Sequence, residues 1–290
     1  MDYNKQKTLE DPMIYLILAI LSSASIAVLM RQSNQKVSGG VGMLAVNYMM
    51  CLALSVAFAG VDRLFPGTAS LGQTLGLGTV NGLLYLLGFV MLQVSIRKNG
   101  VVLSTIFMKL GLLVPMVLAV VVFRETPGVL QILGFLLALA AILVINYEKT
   151  GQKSQSAGFL VLLLLLGGGG DAMSKVFEVV GDSTMEDCFL LYTFASAMTL
   201  CLILVLAKKE KMGRWEWLFG LLIGVPNFFS ARFLLKSLSY IPATVAYPTF
   251  SVATLLVVTL AGVVLFGERL KKKQWVGLGM ILGALVLLNI

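Results

Sequence analysis

Apolar residues run through this chain in blocks of about twenty, separated by short groups of glycine, proline and charged residues. A helix crosses the ~30 Å hydrocarbon layer of a bilayer with roughly 20 apolar residues. Ten blocks of that size lie near residues 13–30, 41–60, 72–96, 101–122, 128–147, 157–178, 188–207, 215–238, 242–266 and 274–290. The blocks are continuously apolar rather than alternating, which predicts helices and not the strands of a membrane barrel. Turn and polar residues mark the joins, among them Ser38-Gly39-Gly40, Pro66-Gly67, Asn99-Gly100, Thr126-Pro127-Gly128 and Lys208–Gly213. Trp215, Trp217 and Trp275 stand at block starts, where interfacial anchors belong. The chain divides into a tail at 1–12, a first five-helix unit at 13–147, a linker at 148–156 and a second five-helix unit at 157–290.

The two units repeat one another. Residues 99–146 and 242–289 align without a gap at a shift of 143, with 14 of 48 positions identical. Phe123-Arg124-Glu125 falls on Phe266-Gly267-Glu268, Gln131 on Gln274, Gly134 on Gly277, and Asn146 on Asn289. Five helices is an odd number, so the second unit enters the membrane from the side opposite to the first. The predicted fold class is therefore all-α integral membrane, ten transmembrane helices as two inverted five-helix repeats. Such repeats place a binding site near the midplane between halves and favour alternating access.

Composition agrees and removes several chemistries. Hydrophobic residues make up 58% of the 290 positions and charged residues 12%, about half of what a soluble domain carries. Histidine is absent, so no His metal site and no Ser-His or Cys-His dyad exists. Cys51, Cys188 and Cys201 lie in apolar blocks without metal-site spacing. No cofactor, metal or catalytic residue is expected. The net charge of +8 suits anionic lipid headgroups better than nucleic acid. Links after odd-numbered helices hold fourteen basic residues against four in the tail and even links, a bias that alone puts both termini outside.

With the repeat in hand, the chain resembles the EamA-type transporters of the drug/metabolite transporter superfamily. Phe123-Arg124-Glu125 and Phe266-Gly267-Glu268 are similar to that family's aromatic-to-glutamate ending of helices four and nine. Gln131 with Gly134, and Gln274 with Gly277, are similar to its Gln-x-x-Gly opening of the following helix, and Pro115 matches its proline in helix four. The Trp-x-x-Asn of the first helix is missing; Ser22, Ser23 and Ser25 occupy that region. The resemblance implies secondary transport, often export, of amino acids, other metabolites or toxic compounds across the cell membrane. It also implies cytoplasmic termini, opposite to the charge count. The expected partners are a small-molecule solute and the lipid bilayer, with the chain a monomer or homodimer. A membrane-embedded enzyme acting on a lipid-soluble substrate is the alternative, although no Asp-rich or His motif supports it.

Charges inside a bilayer are costly and mark function by default. Lys109 is the deepest, ~12 Å into the fourth helix at 1.5 Å per residue, and the repeat puts Val252 in its place. It is a candidate for binding a substrate anion; the competing account is a lysine that snorkels or pairs with an acid. Asp171 lies ~21 Å into the sixth helix, close enough in depth to bracket a zwitterion with Lys109. An i,i+4 ion pair with Lys175, or pairing with Arg232, is the structural alternative. Asp171 and Glu178 are the ion-coupling candidates. Asn81, Tyr85, Ser104, Asn227 and Tyr247 complete the substrate-binding candidates. Gly167–Gly170 is expected either to pack helices tightly or to break one. Glu125 and Glu268 are expected at helix junctions, Thr126-Pro127 opening the fifth helix. Asp182, Glu186 and Asp187 are expected as a solvated loop.

Overall fold

The computed structural model describes residues 12–33, 36–37, 40–61, 64–146, 157–210, 212–267 and 269–290. Residues 1–11 of the tail, the 148–156 linker and Glu268 lie outside the described residues. Among those described, ten helices follow in order: α1 (Pro12–Ser33), α2 (Gly40–Ala59), α3 (Leu71–Lys109), α4 (Leu113–Val121), α5 (Val129–Asn146), α6 (Ala157–Val180), α7 (Glu186–Lys208), α8 (Arg214–Leu238), α9 (Ala243–Phe266) and α10 (Lys272–Asn289). Eight segments, including Leu71–Gly100 and Leu103–Val121, are long and apolar enough to cross a membrane, and Val129–Ile145 is apolar but shorter. Their outward residues are apolar as well: Val264 is 79% exposed, Leu206 75% and Val129 74%. That belt is a surface made for lipid rather than water.

The third and fourth predicted blocks meet at Gly100, where the backbone turns with φ 80° and ψ 165°. Only glycine adopts that conformation at little cost. Ser104 donates to the Gly100 carbonyl at 2.8 Å and shares a second 2.8 Å contact with Ser95, which pins the two arms of the break.

The halves interleave. α1 packs on α8 and α9, and α6 packs in the same way on α3 and α4; α2 lies on α7 and α8, α7 on α2 and α3, and α5 on α10. Exchanging the halves maps each of these contacts onto another, so a pseudo-twofold axis relates them. In lipid, helices associate through close packing rather than hydrophobic burial, and small residues mark the crossings. A Cβ on Gly82 of α3 would stand 2.3 Å from the Thr193 carbonyl of α7, and one on Gly224 of α8 would stand 2.7 Å from the Asn47 carbonyl of α2. Gly78 and Gly220 repeat the arrangement one turn earlier.

The repeated motifs now have physical roles. Gln131 accepts from the Gly128 N–H at 3.0 Å and Gln274 from the Lys271 N–H at 2.8 Å, closing the first turns of α5 and α10. Gly134 and Gly277 then let α5 and α10 cross against Leu288 and Ile145. Arg124 (φ 57°) and Gly267 (φ 65°) are the left-handed residues that end the preceding helices. α5 opens at Val129 with Gly128 before it, so Thr126-Pro127 is not its cap; the Gly128 N–H donating to Gln131 does that work.

Gly167–Gly170 packs rather than breaks. α6 is continuous through it, and a Cβ on Gly168 would meet the Gly111 carbonyl at 2.0 Å, while one on Gly170 would meet the Tyr85 ring at 2.3 Å. Pro226 and Pro248 likewise sit inside unbroken α8 and α9.

Candidate functional site

Two adjoining cavities lie where the halves meet. One of ≈ 190 Å³ is lined by Met30, Met43, Asn47, Tyr48, Phe89 and Asn227 among others. The other, of ≈ 240 Å³, is lined by Tyr48, Tyr85, Phe89, Met108, Gly167 and Asn227 among others. Tyr48, Phe89 and Asn227 belong to both. Asn227 of α8 reaches them because Gly224, one turn earlier, brings α8 against α2; its amide donates to Asn47 Oδ1 at 3.3 Å. The mirror contact is Asn81 of α3 donating to Thr193 of α7 at 3.3 Å. The lining is aromatic and thioether-rich with few amides, the mix that holds an organic solute.

One turn along α3 from Phe89, Gln93 opens into a mouth of ≈ 510 Å³ with Gly40, Arg97, Lys208 and Glu210. Glu210 is tied to the Gly42 N–H at 2.9 Å, whereas Arg97 and Lys208 are exposed and bond to no described residue. Neighbouring cations stack on rings: Arg31 on Phe266, Lys36 on Trp215 and Lys98 on Phe159, each within 4.3 Å of the centroid.

The opposite end is cross-linked by charged side chains. The left-handed turn at Arg124 aims Glu125 at α9, where its carboxylate accepts from the Ala243 and Thr244 N–H groups at 3.2 and 3.0 Å. Lys175 of α6 bonds the same carboxylate at 2.8 Å and Glu178 at 2.6 Å. A short way along, Arg232 of α8 pairs with Asp187 of α7 and lies 4.4 Å from the Phe58 ring. Burial opposes the charge on Glu125, but Lys175 and the two amides outweigh it and hold the carboxyl below its ordinary 4.5. Asp182 caps the turn at Ser183–Met185 and accepts from Ser70 at 2.8 Å. The acidic trio is thus not a solvated loop: Asp182 bonds to Ser70, Glu186 accepts from Ser239 at 3.4 Å and Asp187 pairs with Arg232, because loop and helix ends meet here.

At the level between these ends stand Lys109 and Asp171. Among the described residues no ion pair joins them. Neither side chain bonds to a described residue, and the Lys109 side chain is exposed. Gly167, Asp171 and Lys175 lie one turn apart along α6, so a single face carries the cavity wall, the central acid and the closure. Tyr247 of α9 donates to the Asp171 carbonyl at 2.6 Å.

The structure thus brings Tyr85 and Asn227 together at the cavity and places Lys109 beside Met108 of its wall. Asn81 is fully buried in the α3–α7 contact, with Oδ1 unpartnered. Tyr247 is buried and bridges α9 to α6; Ser104 serves the Gly100 break; Glu178 belongs to the closed end. The pairing alternatives for Asp171 do not form: Lys175 goes to Glu125 and Glu178, and Arg232 to Asp187. Sequence reasoning missed Tyr48 and Phe89 in the wall and the Glu125–Lys175 link, whose partners are fifty residues apart with no shared motif. Among the described residues, no group of three His, Cys, Asp or Glu residues is arranged to hold a metal ion.

A duplicated ten-helix bundle with a cavity between its halves defines a multi-pass membrane protein of the carrier type. The EamA-like transporter family matches twice, at residues 12–147 and 157–290. The chain belongs to that family, and with it to the drug/metabolite transporter superfamily. An uncharacterized protein of Haemophilus influenzae (strain ATCC 51907 / DSM 11121 / KW20 / Rd) is 25% identical over 283 residues, covering 93% of this chain and 95% of that protein. A protein of known crystal structure matches 95% of each chain with a TM-score of 0.70 at 17% identity, a likeness of fold alone.

Proposed function

We propose that the chain is a secondary carrier that moves a small organic solute by alternating access, exporting it across the plasma membrane. Tyr85 and Asn227, with Lys109 nearby, contact the solute, while Asn81 fixes the α3–α7 crossing beside them. The observation that supports this reading is a cavity between the halves, with a separate pocket at Gln93 one turn along α3 on one side and the Glu125, Lys175 and Glu178 links two turns along α6 on the other. The closure joins the α4–α5 link of the first half to α6 and α9 of the second. Rocking the halves breaks it, and the pseudo-symmetric rearrangement closes the mouth. Asp171 stands one turn from both wall and closure, where a change in its charge or partner reaches the Lys175 link.

The test is thiol accessibility in proteoliposomes. Asn227→Cys is expected to react with a small charged reagent from the side of Arg97 and Lys208. Lys175→Met is expected to add reactivity from the opposite side. Reaction from neither side, with or without Lys175→Met, would sink the reading. Cys51, Cys188 and Cys201 are buried and serve as the slow background.

A further inference from the structure

Many cations of this chain have a partner within it. Lys175 and Arg232 hold carboxylates, and Arg31, Lys36, Lys98 and Arg214 rest on aromatic rings. Arg97 of α3 and Lys208 of α7 are different. They line the ≈ 510 Å³ cavity at the mouth, are exposed, and bond to no described residue. Gln93, one turn before Arg97, lines the same cavity and also lacks a bonded partner among the described residues. Glu210, the acid of the lining, is turned to the Gly42 N–H at 2.9 Å and pairs with neither cation. Gly40, Val41 and Ile96 complete the walls.

The other half shows what belongs in such a place. The pseudo-twofold relation that carries Gly82 onto Gly224 and Asn47 onto Thr193 carries Arg97 onto Ser239 and Gly40 onto Glu186. At the opposite end Ser239 donates to the Glu186 carboxylate at 3.4 Å. At the mouth the corresponding donor is a guanidinium, and the residue in the place of the acid is a glycine. An anion that the chain supplies to itself at one end must come from outside at the other.

The level of the cavity selects the membrane as the source. Arg97 lies in the last turn of the span Leu71–Gly100, and Lys208 ends the span Ser183–Lys208, where phospholipid headgroups begin. Just before Lys208, α7 exposes Leu202, Ile203 and Leu206, an apolar surface for acyl chains. We propose that this cavity binds the headgroup of an anionic phospholipid, Arg97 and Lys208 taking its phosphate while the Gln93 amide donates to a headgroup oxygen. A guanidinium takes two phosphate oxygens at once, and each basic side chain at the surface adds to the attraction. Because α3 belongs to the first half and α7 to the second, the headgroup bridges the halves at the mouth as Glu125 and Lys175 do at the opposite end.

The experiment is a thermal-shift titration of the detergent-purified chain with dioleoyl phosphatidylglycerol, dioleoyl phosphatidylcholine and inorganic phosphate. Phosphatidylglycerol is expected to raise Tm. Phosphatidylcholine, whose choline neutralises its phosphate, and inorganic phosphate at equal concentration are expected to have little effect. In the double variant Arg97→Gln, Lys208→Gln, the half-maximal concentration of phosphatidylglycerol should rise by about tenfold or more. Arg269→Gln, Lys272→Gln removes two exposed cations at the α9–α10 junction and should leave that concentration in place. Gly40→Asp gives the first half an acid where the second has Glu186; its Cβ would stand 3.3 Å from Gln93 Nε2, the flexible end of a side chain. That variant should melt higher without lipid and respond less to it. No response to phosphatidylglycerol, an equal response to phosphatidylcholine, or an equal loss in both double variants would each overturn the proposal. So would an undiminished response in Arg97→Gln, Lys208→Gln or, should that variant not fold, in Gly40→Asp. A full response to inorganic phosphate would overturn the lipid and assign the site to a soluble phosphate.

Discussion

The two ends of this bundle come from one repeated design and differ in how their charges are used. At the closed end, Glu125, Lys175, Glu178, Asp187 and Arg232 are paired with one another, and Glu125 also caps α9. At the open end, Arg97 and Lys208 border the mouth without a partner among the described residues, and nearby cations rest on aromatic rings. Repeated backbone geometry supplies both ends; the acids that face a lysine decide which is cross-linked. Arg124 and Gly267 show the split in miniature, with the same left-handed turn carried by different side chains.

The largest effect is expected from Lys175→Met. It leaves two partly buried carboxylates facing each other, and loss of one partner of such a pair costs about 3 kcal/mol. Thermal melting in detergent should fall accordingly, and thiol labelling should reach the cavity from the closed end. An unchanged melt would show that the pairing contributes nothing to the closure.

Packing can be separated from charge at the α4–α6 seam. Gly168→Ala puts a methyl group 2.0 Å from the Gly111 carbonyl, whereas Gly279→Ala meets nothing within 4 Å. The first is expected to cost about 2 kcal/mol by overpacking, the second to be neutral or slightly stabilising. Equal melts for the two variants would refute the close approach.

Acid should loosen the closed end by a smaller amount. A carboxyl whose pKa is depressed by folding contributes stability above its unfolded value and loses it as pH falls through the folded one. Glu125, held below 4.5, therefore keeps the closure intact at neutral pH and releases it only in more acidic solution. Glu125→Gln at pH 7 should mimic that release, at about 1.5 kcal/mol for a charged hydrogen bond. A closed end that opens with the same pH midpoint in Glu125→Gln as in the parent would assign the transition to another group.

The smallest effect is expected at the turn itself. Arg124→Gly removes the left-handed penalty of a side chain and should raise stability by about 1 kcal/mol or less, leaving the Glu125 contacts in place. A destabilised variant would mean that the Arg124 side chain, and not only its backbone, holds the turn.

How much was legible beforehand follows from the range of each interaction. Membrane helices satisfy their own backbone groups, so apolar length alone marks them. Gln131 and Gly134, repeated as Gln274 and Gly277, act within one turn or at a single crossing, and their spacing is visible in the chain. The Gly78–Gly82 and Gly220–Gly224 pairs are equally local but escaped notice, because their shift of 142 differs by one residue from that of the later segments. That Lys109 and Asp171 fall within apolar blocks was also readable, whereas their lack of bonded partners among the described residues was not.

By itself, then, the sequence determined the ten helices, the duplication, the inversion that follows from five per half, and which charges fall within apolar blocks. It could do so because periodicity, helix length and parity are properties of the chain taken in order. Only the tertiary structure decided that Lys175 meets Glu125 rather than Asp171, that Tyr48, Phe89 and Asn227 share one cavity wall, and that charged links gather at one end. Those outcomes depend on how helices from the two halves interleave. A side chain on a packed helix chooses among neighbours from several segments, and proximity along the chain does not rank them.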